Sequence, residues 1–398
     1  MRILHVIDTL SPASGGPPEA VRQLVLAYER EVARASIEVV CLDRPDAPFL
    51  SDIACPVHAL GQSILGRFAF SPRLWRWLHC HAGRFDIIVM NGIWSFPDIA
   101  VRSAARNAGV PYGVFVHGAL DPWFNRKYPF KRWKKRLYWP IQYTALRDAA
   151  AVFFTTAIER DLAKDSFRPN KWNSVVVPYG IVDLGHTAEE ATRQIDKFQA
   201  IVPALRGRSF LLFMGRIHEK KGCDLLLQAF GRVAAVNPDL DLVIAGSSRD
   251  GLQSKLQAQA VRFGIASRVH WPGMIRGDLK WGALRACQAF VLPSHQENFG
   301  ISVVEALCAG RPVLISNQVN IWPDVKTDGV GLVDDDTLAG TERLLQRWFQ
   351  LSSLQREEMA RRARPCFLAR YTMNKTASLI YELFAPENDR SRSGRLAG

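Results

Sequence analysis

The sequence predicts an α/β protein built on two parallel sheets, and three observations predict it. Short apolar runs alternate with helix-length amphipathic stretches, the rhythm of βαβ units. The rhythm restarts after Gly207. A chain of 398 residues also exceeds what one hydrophobic core ordinarily holds, so two domains are expected.

The first strand is expected at 3–7. Its apolar run carries His5 and is followed by Asp8, which reads as a buried strand and not as a secretory leader. Gly15-Gly16 and then Pro17-Pro18 open a helix at 18–30, since proline is preorganised for a first helical turn. Strands follow at 37–41, 87–90, 112–116, 151–155 and 174–177, with a helix at 98–108 among the connections. Beyond Gly207 strands are expected at 210–214, 242–245, 269–271, 289–292 and 313–315. The division is therefore a first domain at 1–183, a polar linker at 184–206, and a second domain at 207–365. A closing helix is expected at 366–385, and the polar, glycine-containing residues 386–398 are expected to be disordered.

Composition narrows the class. Hydrophobic residues make up 48% and charged residues 22%, as in a globular protein, and no apolar run approaches the ~20 residues that span a bilayer. The seven cysteines are scattered and form no C-x-x-C pair, which argues for reduced thiols in a cytoplasmic setting and against a zinc site. The net charge of +13 predicts an anionic partner.

The most informative segment is PSHQENFGISVVE, 293–305. Glu297 and Glu305 bracket Phe299-Gly300, between a strand and an apolar helix. A helix opening at Gly300 offers unpaired N–H groups and a partial positive charge, which suit a phosphate. Arg216 and Lys221 follow the strand at 210–214 and supply cations for a diphosphate. His117 ends the strand at 112–116 beside a glycine. Because open α/β sheets bind ligands at the C-terminal ends of their strands, these motifs are expected to line one cleft. The pairs Asp239/Asp241 and Asp334/Asp336 invite a metal reading. The first lies at the wrong end of a strand and the second reads as helix capping, so no metal is assigned.

Three of these elements, in order, carry a resemblance. Glu297 to Glu305 resembles the E-x7-E signature of glycosyltransferase family four, the retaining nucleotide-sugar glycosyltransferases. Gly215-Arg216 with Lys221-Gly222 resembles that family's G-R-x4-K-G element, and Gly15-Gly16 its glycine pair. The resemblance implies two Rossmann-like domains facing across a cleft (the GT-B type), with the last helix returning to the first, acceptor-side domain. It implies that Glu297 meets the donor sugar, Glu305 the ribose, and the backbone of Phe299, Gly300 and Ile301 the sugar and distal phosphate. Met274 falls where the family's main chain contacts the base, and His117 where a histidine hydrogen-bonds the transferred sugar. Asn91 and Trp94 become acceptor-side candidates, although the family often has histidine near Asn91. In VPYGIVD, Tyr179 stands where the family's P-N-G-V-D segment has asparagine, and Asp183 comes one place late.

Seven cations lie between Arg126 and Arg136, with aromatics interleaved. On a helix, Phe130, Trp133 and Leu137 share a face, flanked by Lys131, Lys134 and Lys135. That pattern fits an interfacial helix on anionic lipid, with Lys131, Trp133, Lys134 and Lys135 in contact. A helix packed by its aromatics with a solvated basic rim is the alternative. No nucleic-acid reader module accompanies it.

The expected function is a cytoplasmic retaining glycosyltransferase, peripheral on the inner membrane face. It would move a sugar from a nucleoside diphosphate to a hydroxyl acceptor, lipid-linked saccharides of polysaccharide biosynthesis included, with no cofactor beyond the donor. The expected catalytic set is Glu297, His117, Arg216 and Lys221. The donor set adds Gly15, Gly16, Met274, Phe299, Gly300, Ile301 and Glu305. The alternatives are a noncatalytic membrane adaptor of the same fold and a glycan phosphorylase-like enzyme.

Overall fold

The computed structural model describes residues 1–31, 35–183, 185–248 and 251–385, so the expected tail at 386–398 lies outside the described residues. The chain divides into two compact units, Met1–Val182 with the residues from Thr372 onward, and Asp183–Tyr371.

The first unit holds seven strands: β1 (Arg2–Ile7), β2 (Ser36–Cys41), β3 (Val57–Ala59), β4 (Ile87–Asn91), β5 (Tyr112–Phe115), β6 (Ala151–Phe154) and β7 (Ser174–Val176). All pair parallel in the order β3-β2-β1-β4-β5-β6-β7. β1, β4 and β5 are almost continuously apolar and buried, as strands covered on both faces must be.

The second unit holds β8 (Ser209–Met214), β9 (Leu240–Ala245), β10 (Val269–His270), β11 (Ala289–Leu292), β12 (Val313–Ser316) and β13 (Gly331–Asp334). These too are all parallel, in the order β10-β9-β8-β11-β12-β13. In both sheets the strand order reverses beside the first strand, between β1 and β4 and between β8 and β11. Such switch points open a crevice at the carboxyl ends of the strands.

Two boundaries are corrected. Residues 184–206 are not a linker. They hold the helix Ala188–Ile201, whose Gln194 and Phe198 are buried in the second unit, with Gln194 donating to Asp278 at 3.0 Å. Its exposed glutamates made the segment read as polar, but one face is core. The closing helical stretch is two helices, Ser353–Arg370 in the second unit and Met373–Phe384 in the first, where Thr376 Oγ1 donates to the Pro178 carbonyl at 2.5 Å.

Candidate active site

Two loops meet at the second switch point. After β8 the chain runs through Gly215 and Arg216 to the short turn Glu219–Lys221, which ends at Gly222. Gly222 has φ +66°, and a Cβ there would lie 2.2 Å from the Pro293 carbonyl oxygen, so only glycine lets the loop approach the end of β11. That approach brings Lys221 Nζ into direct contact with Glu297 Oε2, joining the two sequence motifs in one ion pair. The Glu297 backbone is fixed in turn by the loop after β12. Its N–H donates to Gln318 O at 2.9 Å and its carbonyl accepts from Asn320 N–H at 3.1 Å.

Burial, aided by the Lys220 and Arg216 charges, lowers the Lys221 ammonium to about 7, while contact with the Glu297 carboxylate favours its charged form. Arg216 is exposed. The helix Ile301–Cys308 opens at Gly300 (φ +86°) with no side-chain cap, so its first N–H groups stay available. Phe299 is buried against Tyr371, ring centroids 5.8 Å apart, and anchors the loop from below. Glu305 is buried one turn into the helix, where Lys280 Nζ donates to its Oε1 at 2.7 Å. Met274 is exposed just past β10.

The second acidic pair does not cap a helix. Asp334 pairs with Arg343, Asp336 accepts from His295 Nδ1 at 2.9 Å, and the cap is Thr337. Asp241 is buried between Arg208 and His270. Among the described residues no three His, Cys, Asp or Glu side chains gather as a metal site requires.

In the first unit, His117 follows β5 with φ +50°, a conformation that costs a non-glycine residue energy and that clusters at functional sites. Its ring lies against both Phe115 and Tyr179, centroids 5.5 Å from each, while those two rings stack on one another at 5.0 Å, and Tyr179 Oη lies 3.4 Å from His117 Nε2. Glu159 holds the turn, accepting from Gly118 N–H and Thr155 N–H, both at 2.6 Å. Burial lowers the His117 imidazole to about 3, so the ring is neutral at physiological pH. The tyrosine that departs from the resembled motif is therefore the histidine's stacking partner. Gly15 has φ +94° with open space where a Cβ would stand, and Gly16 begins the helix Gly16–Glu31.

Asn91 is corrected. It is buried between β1 and β4, with Nδ2 donating to Val6 O, Val89 O and His5 Nδ1 at 3.2–3.3 Å, so it cannot meet an acceptor. Trp94 is held by its indole N–H to Ala119 O at 3.1 Å, and its backbone N–H donates to Gln142 at 2.7 Å.

The basic segment forms the helix Pro129–Arg147, which buries Trp139, Gln142, Ala145 and Leu146. Phe130, Trp133, Leu137 and Ile141 lie on the other face and are 67%, 56%, 64% and 49% exposed. The aromatics of that face do not pack the helix down. Lys131 and Lys134 flank the stripe, exposed. Lys135 is corrected: it turns inward, its Nζ 4.4 Å over the Trp94 ring and 3.5 Å from Ala119 O.

Lys280, the 317–320 loop, Glu159 and Tyr179 were missed as parts of the site. Only Tyr179 had a local signal, its substitution within a motif.

A family model described as glycosyl transferases group 1 matches residues 194–364, and one described as glycosyl transferase 4-like domain matches residues 15–180. A D-inositol 3-phosphate glycosyltransferase of Segniliparus rotundus is 31% identical over 231 residues, 56% of this chain and 48% of that protein. A GDP-mannose:cellobiosyl-diphosphopolyprenol alpha-mannosyltransferase of Xanthomonas campestris is 23% identical over 80% of this chain and 79% of that protein. The chain spans 36%, 48% and 56% of the length of three curated relatives it matches. Anabaena HepE, solved in complex with UDP and glucose, superposes with a TM-score of 0.75 at 19% identity, over 96% of this chain and 98% of that one. At that identity the superposition shows the two-domain α/β fold of GT-B glycosyltransferases.

Proposed function

The chain belongs to the glycosyl transferases of group 1, with a 4-like first domain, and we propose that it is a retaining enzyme drawing on a nucleoside-diphosphate sugar. The observation that carries this reading is the contact between Lys221 and Glu297 at the second switch point, beside exposed Arg216 and the uncapped helix at Gly300.

Arg216, Lys221 and the first N–H groups of the helix stabilise negative charge on the departing diphosphate. With Lys221 on Oε2, Glu297 offers Oε1 to hydroxyls of the donor sugar, and neutral His117 hydrogen-bonds the transferred sugar. Glu305, steadied by Lys280, meets the ribose. The bond from the anomeric carbon to the diphosphate breaks as the acceptor oxygen bonds to the same face, and the acceptor proton passes to a donor phosphate oxygen. No metal takes part in this scheme. Hexose transfer to a lipid-linked saccharide is favoured by the likeness to the Xanthomonas mannosyltransferase, which acts on a cellobiosyl-diphosphopolyprenol. Donor turnover followed by NMR tests the reading: the product's anomeric configuration matches the donor's, and inversion overturns it.

The exposed stripe of Phe130, Trp133, Leu137 and Ile141 between cations favours docking on an anionic cytoplasmic membrane face. Among the described residues no helix is long and apolar enough to cross a membrane. Sedimentation with phosphatidylglycerol vesicles falls at least tenfold in the Trp133→Glu, Lys134→Glu double variant; unchanged sedimentation refutes the docking.

A further inference from the structure

The chain leaves β5 through a reverse turn at Val116–Ala119, closed by the Ala119 N–H on the Val116 carbonyl at 3.0 Å. Both central residues, His117 and Gly118, have positive φ, +50° and +73°. That is the pattern of a type I′ turn, whose central positions are dominated by Gly, Asn and Asp. Histidine at the first of them carries backbone strain, and such strain persists only where the surroundings over-determine it. Gly118 is buried, so its N–H needs an acceptor, and the closing bond of the turn does not use it.

Glu159 supplies that acceptor. It is the third residue of the helix Ala157–Ala163, and the N-cap Thr156 accepts from its N–H at 3.0 Å. A glutamate at this position ordinarily reaches back to the N–H of the cap residue. Here the carboxylate reaches beyond the cap. Oε2 accepts from the N–H and Oγ1 of Thr155, just past β6, at 2.6 and 2.7 Å, and Oε1 accepts from the Gly118 N–H at 2.6 Å. The side chain belongs to a residue only 4% exposed. One buried carboxyl group thus ties the ends of the paired strands β5 and β6 and holds the peptide that follows His117. Phe115 and Tyr179 restrain the imidazole plane, whereas Glu159 restrains the main chain from which the imidazole projects.

We propose that Glu159 is a positioning residue for the transfer reaction: by accepting the Gly118 N–H it keeps His117 in the left-handed conformation that aims its imidazole at the transferred sugar. The inference rests on the transferase reading and adds to it a residue that acts through His117 without touching substrate. Such support matters because a catalytic constellation misplaced by about 1 Å can lose ~10²-fold in rate.

Two readouts on Glu159→Gln test it. The side chain keeps its volume, but its single acceptor oxygen cannot serve both the Gly118 and the Thr155 N–H groups. In NMR of histidine-labelled protein, the His117 ring resonances, displaced in the wild type by the rings of Phe115 and Tyr179, move toward those of an unstacked histidine. In nucleoside-diphosphate release from UDP-glucose, GDP-mannose and ADP-glucose, kcat on the donor that the wild type turns over falls ~10-fold or more. Its KM stays within about twofold, because the groups proposed to hold the diphosphate belong to the second unit. In a His117→Ala background Glu159→Gln costs no further kcat, since residues acting through one another are not additive. Glu159→Asp keeps both oxygens on a shorter stem, gives the same changes in smaller measure, and decides the matter if the glutamine variant does not fold. Unmoved His117 resonances, an unchanged kcat, or full additivity with His117→Ala would make Glu159 a clip between strands and overturn the proposal. A wild type that releases nucleotide from none of the three donors counts instead against the transferase reading, and the His117 resonances still decide the positioning.

Discussion

The two switch points treat their buried polar groups in opposite ways. In the second unit acids and bases are matched: Lys221 with Glu297, Lys280 with Glu305, His295 with Asp336. In the first, burial pushes Asp8 up to about 6 and Asp98 up to about 7, and pulls His5 down to about 4 and His117 to about 3. A counter-charge favours the ionised form of a buried group, and burial without one favours the neutral form. A crevice of matched ion pairs can exchange its internal partners for a charged diphosphate. One whose buried groups are shifted toward their neutral forms suits hydroxyls, which need hydrogen bonds and not countercharges. One fold repeated twice thus supplies two chemical environments, decided by whether a residue such as Lys221 stands opposite the carboxylate.

The comparison breaks first at Glu297. Glu297→Ala removes the proposed sugar contact and leaves the partly buried Lys221 without its carboxylate, so donor turnover falls by ~10² to 10³-fold, about 3–4 kcal/mol, in steady-state assays. A loss confined to thermal stability would make the pair structural only. Gly222→Ala comes next. Its positive φ and the Pro293 carbonyl in its path predict a loss of about 2–3 kcal/mol, read from the denaturant midpoint.

The neutral side is sharpened by Asp98→Asn. Its oxygen still accepts from the Trp94 and Ser95 N–H groups, which Asp98 Oδ2 meets at 3.0 and 3.4 Å. The carboxyl is raised by burial, so the folded state holds a proton that the unfolded state has lost. Wild-type stability on this group's account therefore falls as pH rises from about 4 to about 7. The variant escapes that loss: its melting temperature exceeds the wild type's above pH 7 and matches it near pH 4. The smallest effect belongs to Tyr179→Phe. It keeps the stack on His117 and loses only the hydroxyl, predicting a fall in kcat of ~5-fold, about 1 kcal/mol, with donor KM unchanged. Tyr179→Leu, which removes the ring as well, should cost more.

The strands at the centre of both sheets were legible because their buried, nearly continuous apolar runs are local properties of the chain. The short strands Val57–Ala59 and Gly331–Asp334 were not, being half-buried at or near a sheet edge with little apolar contrast. The motif residues Arg216, Lys221, Glu297 and Gly300 were legible because a loop between a strand and a helix must hold its glycines and charges at fixed spacing. Lys280 and Gln318 reach the site from other loops and helices, and only tertiary packing brings them there. Asn91 and Lys135 show the converse error. Each has a residue type suited to a ligand, but strand and helix periodicity do not say which side faces the core.

The central claim is that the cations after β8, with the helix at Gly300, hold a nucleoside diphosphate. Thermal denaturation of wild type and Lys221→Ala with UDP, GDP and ADP tests it most directly. At 100-fold over its dissociation constant the preferred nucleotide stabilises the wild type by ~2.7 kcal/mol, and the variant at the same concentration by much less. Equal shifts in the two proteins, or no shift with any of the three nucleotides, would contradict the account.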